Sequence, residues 1–161
     1  MECARAAEQS DLAAIVAVAE RIREERAPAR GGALFLAREA GPWPFSDRVR
    51  ELIEDPAGVA VVGCYDGVVF GYGLASIEEL RDGSRLGRLD DLAVDPEARG
   101  VGIGEAMMNL VVDELRAAGC RGVDSRALPG DRETKNFFES FGLKARLLIV
   151  HRSFEADDPT T

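Results

Sequence analysis

The 161-residue chain is 46% hydrophobic and 30% charged, the balance of a soluble globular domain rather than a disordered or fibrous chain. A chain of this length fits one domain, which buries roughly 70% of the surface exposed on unfolding and needs no disulfide or metal staple. No apolar run approaches the roughly 18 residues that cross a bilayer, and Met1-Glu2-Cys3-Ala4-Arg5 lacks the basic-then-apolar pattern of a secretory leader. Twenty basic residues, 18 of them arginine, against 29 acidic ones leave a formal charge of −9. No cluster of basic residues stands out, which argues against nucleic acid as a partner. The acidity favours cationic substrates by field steering and also serves solubility. Cys3, Cys64 and Cys120 are odd in number and lack metal-ligand spacing, so they read as reduced thiols of a cytoplasmic protein.

Residues 2–7 have the composition of a short first strand. After Ser10-Asp11, a helix start, Leu12, Ile15, Val16, Ala19 and Ile22 recur at helical spacing and predict an amphipathic helix ending before Pro28. The stretch with Gly31-Gly32 and Gly41-Pro42-Trp43-Pro44 reads as a loop, followed by a short helix over 46–54 stopped by Asp55-Pro56. Two runs dense in β-formers, 59–65 and 68–76, flank the hairpin signal Asp66-Gly67. A second turn, Arg81-Asp82-Gly83-Ser84, leads into a strand over 86–94 closed by Asp95-Pro96. Over 102–118 the residues Ala106, Met107, Leu110, Val111, Leu115 and Ala118 line one helical face, and Gly119 caps it. A strand over 122–127, a helix over 131–140 ending at Gly142 and a final strand over 143–154 complete the order. The polar residues 155–161 are expected to form a disordered tail.

Hairpins in the first half followed by alternating strands and helices predict a single α/β domain over 1–154. Its central sheet is mixed and mostly antiparallel, with about seven strands and about four flanking helices. The dominance of hairpins excludes a doubly wound nucleotide fold.

The stretch that carries chemistry is Asp90-Asp91-Leu92-Ala93-Val94-Asp95-Pro96-Glu97-Ala98-Arg99-Gly100-Val101-Gly102-Ile103-Gly104-Glu105. A strand ends, a glycine-studded loop turns, and a helix begins. Glycines let several N–H groups point at one spot, and the helix N-terminus adds about half a positive charge there. This is an anion site suited to phosphate, to which Arg99 adds a charge. The loop lacks the Lys-Ser/Thr ending of a P-loop and the spacing of a dinucleotide fingerprint. Taken alone, the same glycines also serve a tight strand-to-helix turn.

Arg99-Gly100-Val101-Gly102-Ile103-Gly104 resembles the Arg/Gln-x-x-Gly-x-Gly/Ala signature of the GNAT N-acetyltransferase superfamily, and Leu92-Ala93-Val94-Asp95-Pro96 precedes it as a strand does in that family. Asn136-Phe137-Phe138-Glu139-Ser140-Phe141-Gly142-Leu143 resembles the family's second motif. The resemblance implies a GNAT-like fold and transfer of an acetyl group from acetyl-coenzyme A to an amine of a small molecule or peptide, with no metal. It leaves a homodimer open. Arg99, Gly100, Val101, Gly102, Ile103, Gly104 and Glu105 would then wrap the pyrophosphate. Leu92, Ala93 and Val94 would pair with the pantetheine arm by strand addition, with the arm in the notch between strands 86–94 and 122–127. The N–H of Leu92 would polarise the thioester carbonyl.

Asp131 stands where many members carry an asparagine that contacts pantetheine, and Phe138 where many carry a tyrosine near the sulfur. Phenylalanine cannot protonate a departing thiolate, but a thiol pKa near ~8.5 makes unassisted departure plausible. Lys135 is either a solvated helix lysine or a partner of the cofactor's 3′-phosphate.

An alkylamine with a pKa near ~10.4 reaches its neutral form at pH 7 at a cost of roughly 4 to 5 kcal/mol, so a carboxylate base is expected. Strand alternation sends Asp90 and Asp91 to opposite faces, so at most one enters the cleft, and Asp90 is taken as that base. Glu78 and Glu79, at the end of the preceding strand, are the next candidates and would attract a cationic substrate in a closed acidic pocket. Trp43 and Phe45 either line the acceptor site or fill core, while His151 and Cys120 carry no sequence mark of activation. Two rivals stand beside this reading: a coenzyme A sensor without turnover, and a protein N-terminal or lysine acetyltransferase with an open groove.

Overall fold

The computed structural model describes residues 1–154; the expected tail, 155–161, lies outside the described residues. Five strands, β1 (Glu2–Ala6), β2 (Gly58–Tyr65), β3 (Val68–Glu79), β4 (Arg85–Val94) and β5 (Cys120–Asp124), form one sheet in that spatial order. The first four are antiparallel neighbours, and β5 joins β4 in parallel. Helices α1 (Leu12–Arg26), α2 (Gly32–Arg38), α3 (Phe45–Glu54), α4 (Ile103–Ala117) and α5 (Arg132–Ser140) complete the chain order. The α/β class and mixed sheet stand as expected, with five strands in place of about seven and five helices in place of about four. Among the described residues, no helix is long and apolar enough to cross a membrane.

The apolar periodicities build two cores, one on each side of the sheet. On one side, Ile15, Ala19 and Ile22 of α1 and Val49 and Leu52 of α3 pack on Val62, Tyr72 and Leu74. On the other, Met107, Met108, Val111 and Leu115 of α4 pack on Val61, Ala75 and Leu89. A close approach makes the second layer possible. A Cβ on Gly63 would sit 2.4 Å from the Ile103 side chain and 2.8 Å from the Met107 sulfur, so only glycine lets α4 rest on β2 there.

Asp11 anchors the entry to α1: its carboxylate accepts two bonds from Arg5, at 2.7 Å each, and one at 2.8 Å from the Glu8 N–H. The Arg5 bonds, opposed by burial, hold the Asp11 carboxyl below its ordinary pKa.

Three expectations change. The segment read as a loop contains α2: Gly31, at φ 74°, turns the chain, and Ala33-Leu34-Phe35-Leu36-Ala37 behind it are helix formers. The strand expected at 122–127 is β5, which starts two residues earlier and stops at Asp124. Residues 143–154 form no strand. Among the described residues no ladder joins this segment to the outer edge of β5, and Leu148 is 80% exposed and Val150 84%. Arg146 pairs with Asp124 and ties the start of this segment to β5.

Candidate functional site

The site is made by two departures of β4 from regular pairing. The first is a bulge. Leu74 of β3 faces Asp91, yet Ala75 faces Leu89, so Asp90 is an extra residue. Alternation therefore slips by one position, and Asp90 and Asp91 share a face instead of opposing each other. Both line one cavity of about 410 Å³ on the α1–α3 side of the sheet, which corrects the expectation that at most one enters the cleft.

The second departure is a split. β4 pairs with β5 at Arg85↔Cys120, Gly87↔Val123 and Arg88↔Asp124, and no pairing extends past Arg88. Beyond that point side chains bridge the gap: the Ser125 hydroxyl donates to the Leu89 carbonyl at 3.2 Å, and Arg126 lies 3.5 Å from the Asp90 carboxylate. The edge over 89–94 thus opens onto a notch. The Asp95 N–H donates to the Phe70 carbonyl at 2.7 Å, toward β3. Strand alternation then turns the N–H groups of Asp91 and Ala93 toward β3 and those of Leu92 and Val94 toward the notch. The Leu92 and Val94 side chains join the α4 core, and Ala93 joins the α1–α3 core.

The notch runs into the glycine loop. Gly100 and Gly102 have φ of 81° and 88°, conformations that side chains disfavour. The Ala106 N–H donates to the Gly102 carbonyl at 3.0 Å, which starts the ladder of α4. Helix geometry leaves the amides of Ile103, Gly104 and Glu105 without a carbonyl in α4, at the positive end of its dipole. The Ile103 side chain is core, whereas Val101 and Glu105 are exposed. A Cβ on Gly104 would meet Phe137 at 3.4 Å and Val94 at 3.7 Å, so the loop, β4 and α5 converge there.

Arg99 is not a free charge aimed at this loop. Its guanidinium grips Glu25 of α1 through bonds of 2.8 and 2.6 Å, and its Nε donates to the Val94 carbonyl at 3.3 Å. The bond to Arg99 holds Glu25 below the ordinary carboxylate pKa. Asp131 caps α5, accepting from the Thr134 N–H at 2.9 Å and from its hydroxyl at 2.6 Å. Phe138 is half-buried against Phe137, with ring centres 5.8 Å apart. Lys135 makes an i,i+4 pair with Glu139 at 3.6 Å.

On the acceptor side, Tyr72 was not singled out from the sequence. It is 1% exposed, and its hydroxyl donates to Asp91 Oδ2 at 2.6 Å. Arg26 reaches Asp91 Oδ1 at 3.1 Å. Burial first, then the Asp91 charge, pushes the Tyr72 hydroxyl well above its ordinary pKa. A tyrosine between Gly71 and Gly73 inside a strand was the available signal, because a buried hydroxyl needs a partner.

Asp90 is surrounded differently. Arg88 Nε lies 2.7 Å from Oδ1, Arg126 Nη2 3.5 Å from Oδ1, Arg48 Nη2 3.3 Å from Oδ2, and the Ser76 hydroxyl donates to Oδ2 at 3.2 Å. Trp43, stacked 6.1 Å from Phe45 with Arg23 over its ring at 4.9 Å, borders a smaller cavity of about 30 Å³ that shares Asp91 and Phe45 with the larger one. Glu78 and Glu79 are exposed at the far end of β3, outside both linings.

A split sheet edge leading into a glycine turn and a helix N-terminus is the arrangement that the sequence resemblance implies. The model of the Acetyltransferase (GNAT) family matches residues 19–143, and the chain belongs to that family. An acetyltransferase from Trypanosoma brucei is 25% identical, with a TM-score of 0.67 over 96% of this chain and 100% of its own. A tetramutant of the BH1408 protein of Bacillus halodurans superposes with a TM-score of 0.80 at 16% identity, over 94% of this chain and 99% of its own. The glucosamine-6-phosphate N-acetyltransferase of Arabidopsis thaliana gives 0.64 at 22% identity, over 96% of this chain and 99% of its own. No curated protein matches the sequence.

Proposed function

We propose that this protein transfers the acetyl group of acetyl-coenzyme A to a primary amine of a small molecule, by direct attack within a ternary complex, in the cytoplasm. The observation that carries the reading is the unpaired edge over 89–94 leading into the three partnerless amides of α4. A polyamide arm completes such an edge by strand addition, and a pyrophosphate suits such amides. The three free cysteines suit a reducing compartment.

In this mechanism the Leu92 N–H, turned to the notch, donates to the thioester oxygen as charge develops on it. The amides of Ile103, Gly104 and Glu105 hold the phosphates. Gly100 and Gly102 shape the turn, and Arg99 fixes the loop to α1 through Glu25. Val94 and Phe138 flank the arm.

Asp91 takes one proton from the substrate ammonium, directly or through a water. The neutral nitrogen attacks the carbonyl carbon, the C–S bond breaks, and the coenzyme leaves as a thiolate. The amide nitrogen sheds its second proton, so one proton goes to the thiolate and one to solvent. Asp91 replaces Asp90 as the base because one guanidinium faces Asp91 and three face Asp90, so an ammonium is drawn to Asp91. The role of Asp131 becomes the cap of α5.

The test is release of free coenzyme A from acetyl-coenzyme A across a panel of amino acids, aminosugars, polyamines and peptides. Amine-dependent release is expected, falling roughly 100-fold or more in Asp91→Asn and less in Asp90→Asn. Tight binding of acetyl-coenzyme A with no release on any amine would replace this reading with that of a coenzyme A sensor. Release with peptides alone would move the acceptor to proteins.

A further inference from the structure

The larger cavity is not the acidic pocket that the net charge of −9 leads one to expect. Its inner wall gathers three guanidiniums from three separate elements: Arg48 of α3, Arg88 of β4 and Arg126 of the segment after β5. All three lie within 3.5 Å of the Asp90 carboxylate. Among the described residues Asp90 is the one carboxylate that touches all three, while Arg38 and Glu39 of the same lining pair with each other at 3.4 Å and Asp91 pairs with Arg26 at 3.1 Å. Two further carboxylates face the cluster: Glu51, also of the lining, 3.8 Å from Arg48, and Glu78, whose field reaches Arg88. Both are exposed, so water screens them more strongly than it screens Asp90, whose side chain is 18% exposed.

Guanidiniums hold planar pairs of N–H donors suited to a carboxylate or phosphate. Asp90 occupies only part of that donor set: Arg88 offers it Nε, and Arg126 and Arg48 each offer one terminal nitrogen. The bulge places this cluster one residue from Asp91, on the same wall of the cavity.

Building on the acetyl-transfer reading, we propose that the acceptor carries an anionic group, a carboxylate or a phosphate, beside its amine. Arg48, Arg88 and Arg126 hold the anion while Asp91 faces the ammonium. Asp90 is then a positioning residue that keeps the three guanidiniums converged against their mutual repulsion. The bulge serves specificity as well as catalysis, because it seats the two ends of a zwitterionic acceptor from consecutive residues.

The test is calorimetric binding to the full chain, with coenzyme A present, of amines matched except for the anion: ethanolamine against phosphoethanolamine, and butylamine against 4-aminobutyrate. The anionic member of at least one pair is expected to bind roughly 10-fold tighter or more, and the pair that shows this names phosphate or carboxylate as the anion. In a double Arg88→Gln, Arg126→Gln variant the preference should fall below about 2-fold, and Arg126→Lys should keep part of it. Thermal unfolding of each variant establishes that it folds; both arginines are partly solvent-exposed.

Equal or tighter binding of the neutral member in both pairs overturns the proposal, as does a preference that persists in the double variant. Coenzyme A release measured on the same amines separates the two readings. Anion preference without amine-dependent release would remove acetyl transfer and keep the anion site. Release with the neutral members alone would keep acetyl transfer and remove the anion site.

Discussion

Replacing Tyr72 by phenylalanine isolates the contact that positions Asp91. The ring is buried, edge-on to Phe45 with centres 5.5 Å apart, and phenylalanine retains that packing without opening a cavity. What is lost is one 2.6 Å hydrogen bond to a carboxylate, and a bond to a charged group is worth about 1.5 to 3 kcal/mol. For a chain of this size 1 kcal/mol moves Tm by roughly 2 to 4 °C, so a fall of roughly 3 to 12 °C at pH 7 is expected in a calorimetric scan.

The alkaline side supplies an independent readout. The folded-state pKa of Tyr72 is raised, first by burial and then by Asp91, so its contribution is fully present below the unfolded value near ~10. Above that, the unfolded chain releases a proton that the folded chain keeps, and stability falls as pH rises. The Tyr72→Phe variant should lack this part of the alkaline loss. A Tm within about 1 °C of the parent protein, or identical alkaline limbs, would refute the argument that this hydroxyl holds Asp91.

Two further outcomes follow from the packing. Asp11→Asn should lower stability in urea unfolding by about 1.5 to 3 kcal/mol at pH 7. The parent carboxylate has a depressed folded pKa, so its contribution is present above the ordinary value near ~4 and is lost as pH falls below it; the gap between the two proteins should narrow at pH 3. Gly63→Ala should cost about 1 to 3 kcal/mol by forcing α4 off β2, whereas Gly122→Ala, whose new methyl would meet only Leu86 at 3.8 Å, should be close to neutral. Equal effects of the two glycine changes in thermal unfolding would contradict the close-approach argument.

Much of this molecule is local in origin and was legible as such. The 3.6-residue apolar spacing of α1 and α4, the Asp66-Gly67 hairpin, and the run from strand through Gly100 and Gly102 into a helix are decided by side chains within a few positions of one another. Periodicity and turn chemistry therefore locate them, and the family is legible as a resemblance carried by the loop together with the strand before it and the stretch 136–143. The α2 helix is hidden in the sequence because flanking glycines resemble loop punctuation, and the segment 143–154 resembles a strand because β-propensity carries no information about pairing with another strand.

What only the tertiary structure decided is the interior of the site. The bulge at Asp90 is a property of how β3 and β4 pair across 15 or so residues of intervening chain, and strict alternation applied to β4 alone put Asp90 and Asp91 on opposite faces. Arg48, Arg88 and Arg126 look like scattered surface charges along the chain; they become one cluster because α3, β4 and the segment after β5 meet at the Asp90 carboxylate. Likewise Arg99, legible as a loop cation, is claimed by Glu25, 74 residues earlier. Electrostatic environment depends on distance in space, falling off over ångströms rather than residues, so the chain dictates which charges exist and the fold decides which of them an acceptor meets.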